Sequence, residues 1–475
     1  MKIISDISND ILDVFKKQKY RNDCEYKQIK YLKFLNVDCG VLIYNLLTNE
    51  MILLDNNEYN CFINNTLKED NFILYSFLVK HWYFIPNEFN EKMMVYLYRN
   101  MKQSNVLLSN FINTFIILTT TDCNARCYYC FELGTKRINM SNQTAMDVAK
   151  YIEEKANPEL PVRISWFGGE PLYNSDVIDI ITGYLKEKNI KYVSTMVTNG
   201  YLFNDSNVKK SKELWNLKNV QITLDGTEEV YNKTKAFIYK NDNNAFKTVL
   251  NNIERLISNS INVNIRCNTS KNNYNDLYKL VDVIDERFKN NRKYLSIYFA
   301  VLFEEAKQLF YSDFPHEERN FIHNEMYKLE DYAKEKGLFK VHDKLIKSLG
   351  GIKTTHCMVT DSSTVLVSPE GKLGSCEHYV DSDFFGSIYD EYYNLNRDYS
   401  NIHKWREKSK DIPECDNCHF YPKCFRINGC EPDDPYPVIC NKFYRKIDGI
   451  MLNTYKKYLY SESKIKKEKD LNEAI

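Results

Sequence analysis

The 475-residue sequence lacks net charge: 64 Lys and Arg balance 64 Asp and Glu. A balanced chain offers neither the basic field of a nucleic-acid groove nor a bias toward acidic substrates. No apolar run approaches the about 18 residues that a membrane-spanning helix needs, and no basic-then-apolar signal opens the chain. These absences predict a cytoplasmic protein with no membrane and no nucleic acid among its partners. A further lack is local. Cys123-Asn-Ala-Arg-Cys127-Tyr-Tyr-Cys130 gathers three thiols in eight residues, yet no Cys or His follows within thirty residues to complete a zinc tetrahedron.

What the chain has in quantity is cysteine, fourteen in all. In a reducing compartment thiols stay free, so this number argues for metal ligation or catalysis rather than disulfides. The Cys123 loop follows the apolar run Phe115–Thr119, which reads as a buried strand whose rigid end holds the loop. Three thiolates leave one metal position open. Iron–sulfur clusters are held by such runs, and a [4Fe–4S] cube with three protein ligands keeps one iron for a substrate or cofactor. Three structural thiols are the plain alternative.

At this length two to four domains are expected. The first twenty residues carry no fold signal. Gly40–Tyr44 and Met51–Leu54 are apolar runs around a turn at Thr48-Asn49, which predicts a hairpin. Helical periodicity continues to about residue 80, and Trp82–Ile85 before Pro86 reads as a further strand. Residues 1–105 therefore form a small α+β module, in which Cys24, Cys39 and Cys61 have no ligand spacing. From 106 to 345, strands are predicted at Phe115–Leu118, Val162–Phe167, Tyr192–Val197, Val220–Leu224, Asn262–Cys267 and Leu295–Val301. Amphipathic helices begin near Ser141, Ser175, Asn207, Ala245 and Tyr274, with Ser141 an N-cap. The alternation predicts a parallel sheet with helices outside: a partial (β/α)6 TIM-like barrel, with a charged, helical connection after residue 303.

Polar motifs stand where that barrel places its chemistry, at the C-terminal ends of strands. Gly168-Gly169-Glu170-Pro171 follows the second strand, and its glycines let backbone approach a ligand closely. Thr198-Asn199-Gly200 ends the third strand and Thr223-Leu-Asp225-Gly226 the fourth. Their hydroxyl, amide and carboxylate groups suit a ribose or an α-amino acid.

Cys123-x3-Cys127-x2-Cys130, with Tyr129 before the last Cys, resembles the signature of the radical S-adenosylmethionine (SAM) superfamily, and Gly168–Pro171 resembles that family's GGEP motif. The resemblance implies that Cys123, Cys127 and Cys130 hold a [4Fe–4S] cluster whose open iron binds SAM. One electron then cleaves the sulfonium to a 5′-deoxyadenosyl radical. It further implies that Gly168, Gly169, Glu170, Thr198, Asn199, Thr223 and Asp225 contact SAM. Arg266 is either a partner for the SAM carboxylate or a structural ion pair. The chain departs from the family at Thr223, where Ser is usual, and at Tyr231-Asn232 and Lys235, where His-Asp and Arg are usual; Lys lacks Arg's planar donor geometry.

Cysteines return as Cys357, Cys376, Cys415, Cys418, Cys424, Cys430 and Cys440, in a stretch too poor in apolar residues for a large core of its own. Cys415-x2-Cys418 alone is also a zinc half-site. The whole pattern resembles the SPASM domain, here residues 346–450, which implies two auxiliary [4Fe–4S] clusters. By that resemblance Cys415, Cys418, Cys424 and Cys440 close one, and Cys357, Cys376 and Cys430 hold the other. That second cluster either keeps an open iron for a substrate thiolate or is completed by His356 or another group. Glu377, directly after Cys376, is either a general base or an orienting neighbour of a cluster ligand. Residues 451–475 read as a basic and acidic helical tail.

Together these resemblances imply a radical SAM/SPASM peptide maturase that forms a carbon–sulfur (thioether) or carbon–carbon cross-link in a ribosomally made peptide, served by a reductant such as flavodoxin or ferredoxin. Residues 1–105 weakly resemble the winged-helix peptide-recognition elements of such enzymes, or else cover the barrel's open edge. The alternatives are an anaerobic sulfatase-maturing enzyme, oxidising Cys or Ser to formylglycine, and a noncatalytic iron–sulfur electron-transfer or scaffold protein.

Overall fold

The computed structural model describes residues 1–5, 20–108, 111–239, 244–302, 316–339, 346, 352, 363–377, 384–390, 417–424 and 447–463. The expected hairpin is formed by β4 (Gly40–Asn45) and β5 (Glu50–Leu54). The Asn45 side chain accepts the Leu47 and Thr48 N–H groups, and Asn49 takes the left-handed turn position. β1 (Lys2–Ser5) and β3 (Leu32–Val37) flank the hairpin in a four-stranded antiparallel sheet, while β2 (Tyr26–Gln28) pairs with β6 (Phe84–Pro86). The helix Asn56–Ile63 starts on a capping box between Asp55 and Glu58. Two more helices, Leu67–Asp70 and Phe72–Lys80, complete the helical stretch, and the long helix Glu91–Leu108 follows.

The barrel strands are β7 (Thr114–Thr120), β8 (Val162–Gly168), β9 (Tyr192–Thr198), β10 (Leu217–Thr223), β11 (Asn262–Thr269) and β12 (Leu295–Val301). All six are parallel and lie side by side in chain order, with β12 at an edge. Val162, Ile164 and Trp166 of β8 are buried while Ser165 and Phe167 on its other face are half-buried, so one face meets helices and the other faces the barrel interior. The helix Ala245–Ser258 shows the complementary pattern, burying Phe246, Val249, Leu250, Ile253, Leu256 and Ile257 at helical spacing. The Ser141 hydroxyl accepts the Thr144 N–H at the start of the helix Asn142–Lys155, as its sequence context predicts.

Two features differ from the sequence reading. First, part of the Cys-rich region uses the barrel's core. β13 (Thr364–Val367) pairs in parallel with β7, and β14 (Lys372–Gly374) and β15 (Phe384–Ser387) continue the sheet antiparallel, with Val365, Leu366, Val367 and Leu373 buried. Second, the chain ends share a core. Around β4, β5 and the helix Phe72–Lys80 are packed Ile346, Ile352, Phe420, Tyr421, Ile447, Ile450, Met451 and Tyr455. The helix of residues 447–463 thus runs through the boundary drawn at residue 450, and its first half is core rather than tail. Among the described residues no helix is long and apolar enough to cross a membrane.

Candidate active site

The three-thiol loop leaves the end of β7 without regular structure, so its backbone groups are satisfied individually. The Thr120 hydroxyl donates to Asn139 Oδ1 and accepts from the Asp122 N–H; the Asp122 carboxylate accepts the Cys123 N–H at 2.8 Å. The Arg126 guanidinium donates to the carbonyls of Cys123 and Ala125. A second chain segment seals the loop, with the Arg126 N–H donating to the Lys235 carbonyl and the Ile238 N–H to the Asn124 carbonyl. Cys123, Cys127 and Cys130 are free and half-buried. Burial pushes the Cys123 thiol up to about 12 and the Cys130 thiol to about 11, and neighbouring thiols add to both.

The double glycine brings β8 against this loop. Gly168 has φ +109°, and a Cβ there would stand 2.2 Å from the Thr120 carbonyl oxygen; one at Gly169 would stand 2.2 Å from that of Asp122. The Gly169 and Glu170 N–H groups donate to those same two oxygens. Glu170 is fully buried and accepts from the Thr198 hydroxyl at 2.7 Å, the Asn199 N–H at 2.8 Å and the Leu172 N–H at 3.2 Å. Burial raises its carboxyl to about 7 despite these donors. The structure thus joins Glu170 and Thr198 to each other as a brace between two strand ends. Asn199 reaches the thiol loop, donating to Asn124 Oδ1 at 2.6 Å with Cys123 Sγ 3.9 Å away.

Asp225 is buried at the end of β10. It accepts the Asn268 N–H and the Tyr129 hydroxyl, and the Lys235 ammonium lies 3.0 Å from it. Thr223 and Arg266 are half-buried in register on neighbouring strands, with Tyr298 next in the row. Arg266 Nε donates to Asn268 Oδ1 at 2.9 Å. Three participants escaped the sequence reading as structural contacts: Asn124, the Tyr129 hydroxyl and the Lys235 ammonium. Tyr129 and Lys235 stood in recognisable motif positions, but only their burial shows that they meet.

Of the later cysteines, Cys376 is buried just after β14, and Glu377 Oε2 is buried without a hydrogen-bond partner among the described residues. Cys418 and Cys424 are half-buried at the two ends of the short turn Tyr421–Lys423. Cys357, Cys415, Cys430, Cys440 and His356 lie outside the described residues.

Among the described residues no three His, Cys, Asp or Glu side chains are close enough to share a single metal ion. Thiolates that each bind a different iron of a cluster need no such closeness. The donor set of Cys123, Cys127 and Cys130 fits that case. Asn124 Nδ2, buried without a hydrogen-bond partner among the described residues, leaves a donor for a bound ligand, and Gly168 and Gly169 let β8 close on the backbone of the same loop.

Residues 117–284 match the radical SAM superfamily model. The Fe-coproporphyrin III synthase of Methanosarcina barkeri is 29% identical over 168 residues, covering 35% of this chain and 39% of that protein. A cysteine-type anaerobic sulfatase-maturating enzyme from Clostridium novyi is 24% identical over 367 residues, 72% of this chain and 94% of that one. In fold, the chain is similar to the structure of native anSMEcpe with bound AdoMet and the Kp18Cys peptide: TM-score 0.54 and 18% identity, covering 73% of this chain and 99% of that one. The three-thiol loop, the strand order and these similarities agree: residues 117–284 form a radical SAM domain, and the chain is similar over most of its length to an anaerobic sulfatase-maturating enzyme.

Proposed function

We propose that this enzyme modifies a ribosomally made peptide, abstracting hydrogen from it to form a carbon–sulfur or carbon–carbon cross-link. The observation that carries the reading is one of coverage. The chain spans 99% of a sulfatase-maturing structure solved with a peptide, yet 73% of itself, so this chain has material that the sulfatase-maturing fold lacks. A leader-peptide binder needs an additional module, and residues 1–105 are our candidate for it, ahead of a core at 106–345 and a SPASM region at 346–450.

When bound, the cluster and SAM supply the 5′-deoxyadenosyl radical. The chain's own part is holding and excluding. Cys123, Cys127 and Cys130 hold the cluster; Gly168 and Gly169 let backbone close over it; Asn124, Thr223 and Arg266 offer polar groups to SAM. Glu170, Thr198, Asn199 and Asp225 keep those groups in place. Cys357, Cys376, Cys415, Cys418, Cys424, Cys430 and Cys440 hold two auxiliary clusters in this reading. Glu377 takes a proton from the substrate; a buried carboxylate oxygen without a hydrogen-bond partner among the described residues suits that task. A reductant of the flavodoxin or ferredoxin class supplies the electron.

Anaerobic reconstitution with SAM and dithionite tests the reading. The iron-loaded chain is expected to form 5′-deoxyadenosine, and with a Cys-containing peptide encoded next to its gene, a product lighter by two hydrogens. Conversion of a sulfatase-motif Cys or Ser to an aldehyde instead would move the assignment to sulfatase maturation. No 5′-deoxyadenosine would leave only an electron-transfer or scaffold role.

A further inference from the structure

The turn that carries Cys418 and Cys424 is built into the N-terminal module. Its first residue, Tyr421, midway in sequence between the two cysteines, is 3% exposed and belongs to the same core as the β4–β5 hairpin. One face of the Tyr421 ring stacks on Tyr31, with centroids 6.3 Å apart and planes 16° off parallel. The Arg99 guanidinium lies 4.6 Å from the ring centroid, and Lys92 Nζ 5.8 Å from it. Arg99, in the helix Glu91–Leu108, is itself 3% exposed, and its Nη2 donates to the Tyr421 carbonyl at 2.5 Å.

That carbonyl oxygen also accepts the Cys424 N–H at 3.2 Å, while the Tyr421 N–H donates to the Cys418 carbonyl at 3.2 Å. The backbone of one residue, Tyr421, therefore links both cysteines, and Arg99 grips its carbonyl from 322 residues away. A three-residue turn has too few hydrogen bonds to hold two thiols at a fixed separation by itself. Among the described residues, the contacts that fix its geometry include those of the N-terminal module.

We infer that the N-terminal module is one wall of an auxiliary-cluster site, and that Arg99 is the positioning residue that holds Cys418 and Cys424 in place for the cluster. The inference rests on the reading of Cys357 to Cys440 as cluster ligands. It makes residues 1–105 a structural half of the cluster domain as well as a candidate recognition module, so that a peptide bound to the module sits on the element that shapes the cluster loop.

The test uses the full chain with Cys123, Cys127 and Cys130 replaced by Ala, so that all remaining iron is auxiliary. In that background Arg99→Met, which keeps bulk but removes the donor and charge, is expected to lower iron by about four per chain, one cube, and to abolish one reduced-state EPR signal. Arg99→Lys, which keeps charge without the planar fork, is expected to recover part of that iron with an altered signal. Equal iron and identical spectra in the Met variant would overturn the role of Arg99. An iron-free parent chain would instead overturn the auxiliary-cluster reading, with Arg99 irrelevant. With the three cysteines restored, Arg99→Met is expected to retain the SAM-induced change in the first cluster's EPR signal. Losing it would mean general collapse and would likewise overturn a local role.

Discussion

The Lys235 ammonium lies 3.0 Å from the Asp225 carboxylate, with the two side chains only 4% and 1% exposed. Tyr129, the residue before Cys130, donates its hydroxyl to Asp225 and accepts from Lys235 at 2.8 Å. Burial alone would lower the Lys235 pKa, but Asp225 and the surrounding thiol and phenol groups outweigh it and hold the ammonium charged. A strand end, a helix end and the cluster loop are thereby tied at one point.

Breaking this tie leaves a buried anion. Lys235→Met is expected to destabilise the metal-free barrel by about 3–5 kcal/mol, because Asp225 loses its counter-ion. Adding Asp225→Asn is expected to recover much of that loss. Thermal unfolding of the two single variants and the double variant measures the coupling; strict additivity would show that the pair does not act as a unit.

Glu170 predicts a pH dependence. Its carboxyl is raised from 4.5 to about 7, so the folded chain binds this proton more tightly than the unfolded chain does. The stabilisation is complete below pH 4.5, declines as pH rises through about 7 and is flat above, a total of about 3 kcal/mol. Glu170→Gln, which mimics the protonated form, is expected to flatten this part of the profile. Urea midpoints between pH 4.5 and 8 compare the two; parallel profiles would contradict the assignment.

Gly169→Ala tests the contact between β8 and the thiol loop. The added methyl would stand 2.2 Å from the Asp122 carbonyl oxygen, so the loop must shift, at a cost of about 1–3 kcal/mol or more. Cluster loading is expected to fall below about half. Gly183→Ala, whose methyl meets nothing within 4 Å, serves as the control and is expected to be neutral or stabilising by about 0.5–1 kcal/mol.

The shared core makes a prediction about the chain's two ends. Met451 is fully buried among residues of the N-terminal module. Met451→Ala is expected to cost about 2–5 kcal/mol and to speed hydrogen exchange in β4 and β5 while sparing β8 and β9. Unchanged protection in β4 and β5 would argue that the C-terminal helix is peripheral.

Much of this architecture is legible in the sequence because it is locally encoded. The six barrel strands announce themselves as short stretches rich in apolar and β-branched residues, and each falls within a residue or three of its expected bounds. The helices show their buried stripe, and Ser141 its cap. β13, β14 and β15 are harder to see, since strands of three or four residues among cysteines and glycines carry little periodicity and owe their place to the free edge of β7.

The candidate site divides along the same line. Residue type and spacing alone led to the expectation that three thiols face one inorganic group, and determined that glycines would allow close backbone approach and that polar groups would gather at strand ends. Tertiary structure decided how those polar groups are used: Glu170 and Thr198 satisfy each other, and Asp225 belongs to Lys235 and Tyr129. It also decided that the two ends of the chain form one core. The physical reason is common to both. Spacing and propensity act over a few residues, whereas burial and the choice of hydrogen-bond partner depend on segments that only folding brings together, as Arg99 and Tyr421 illustrate.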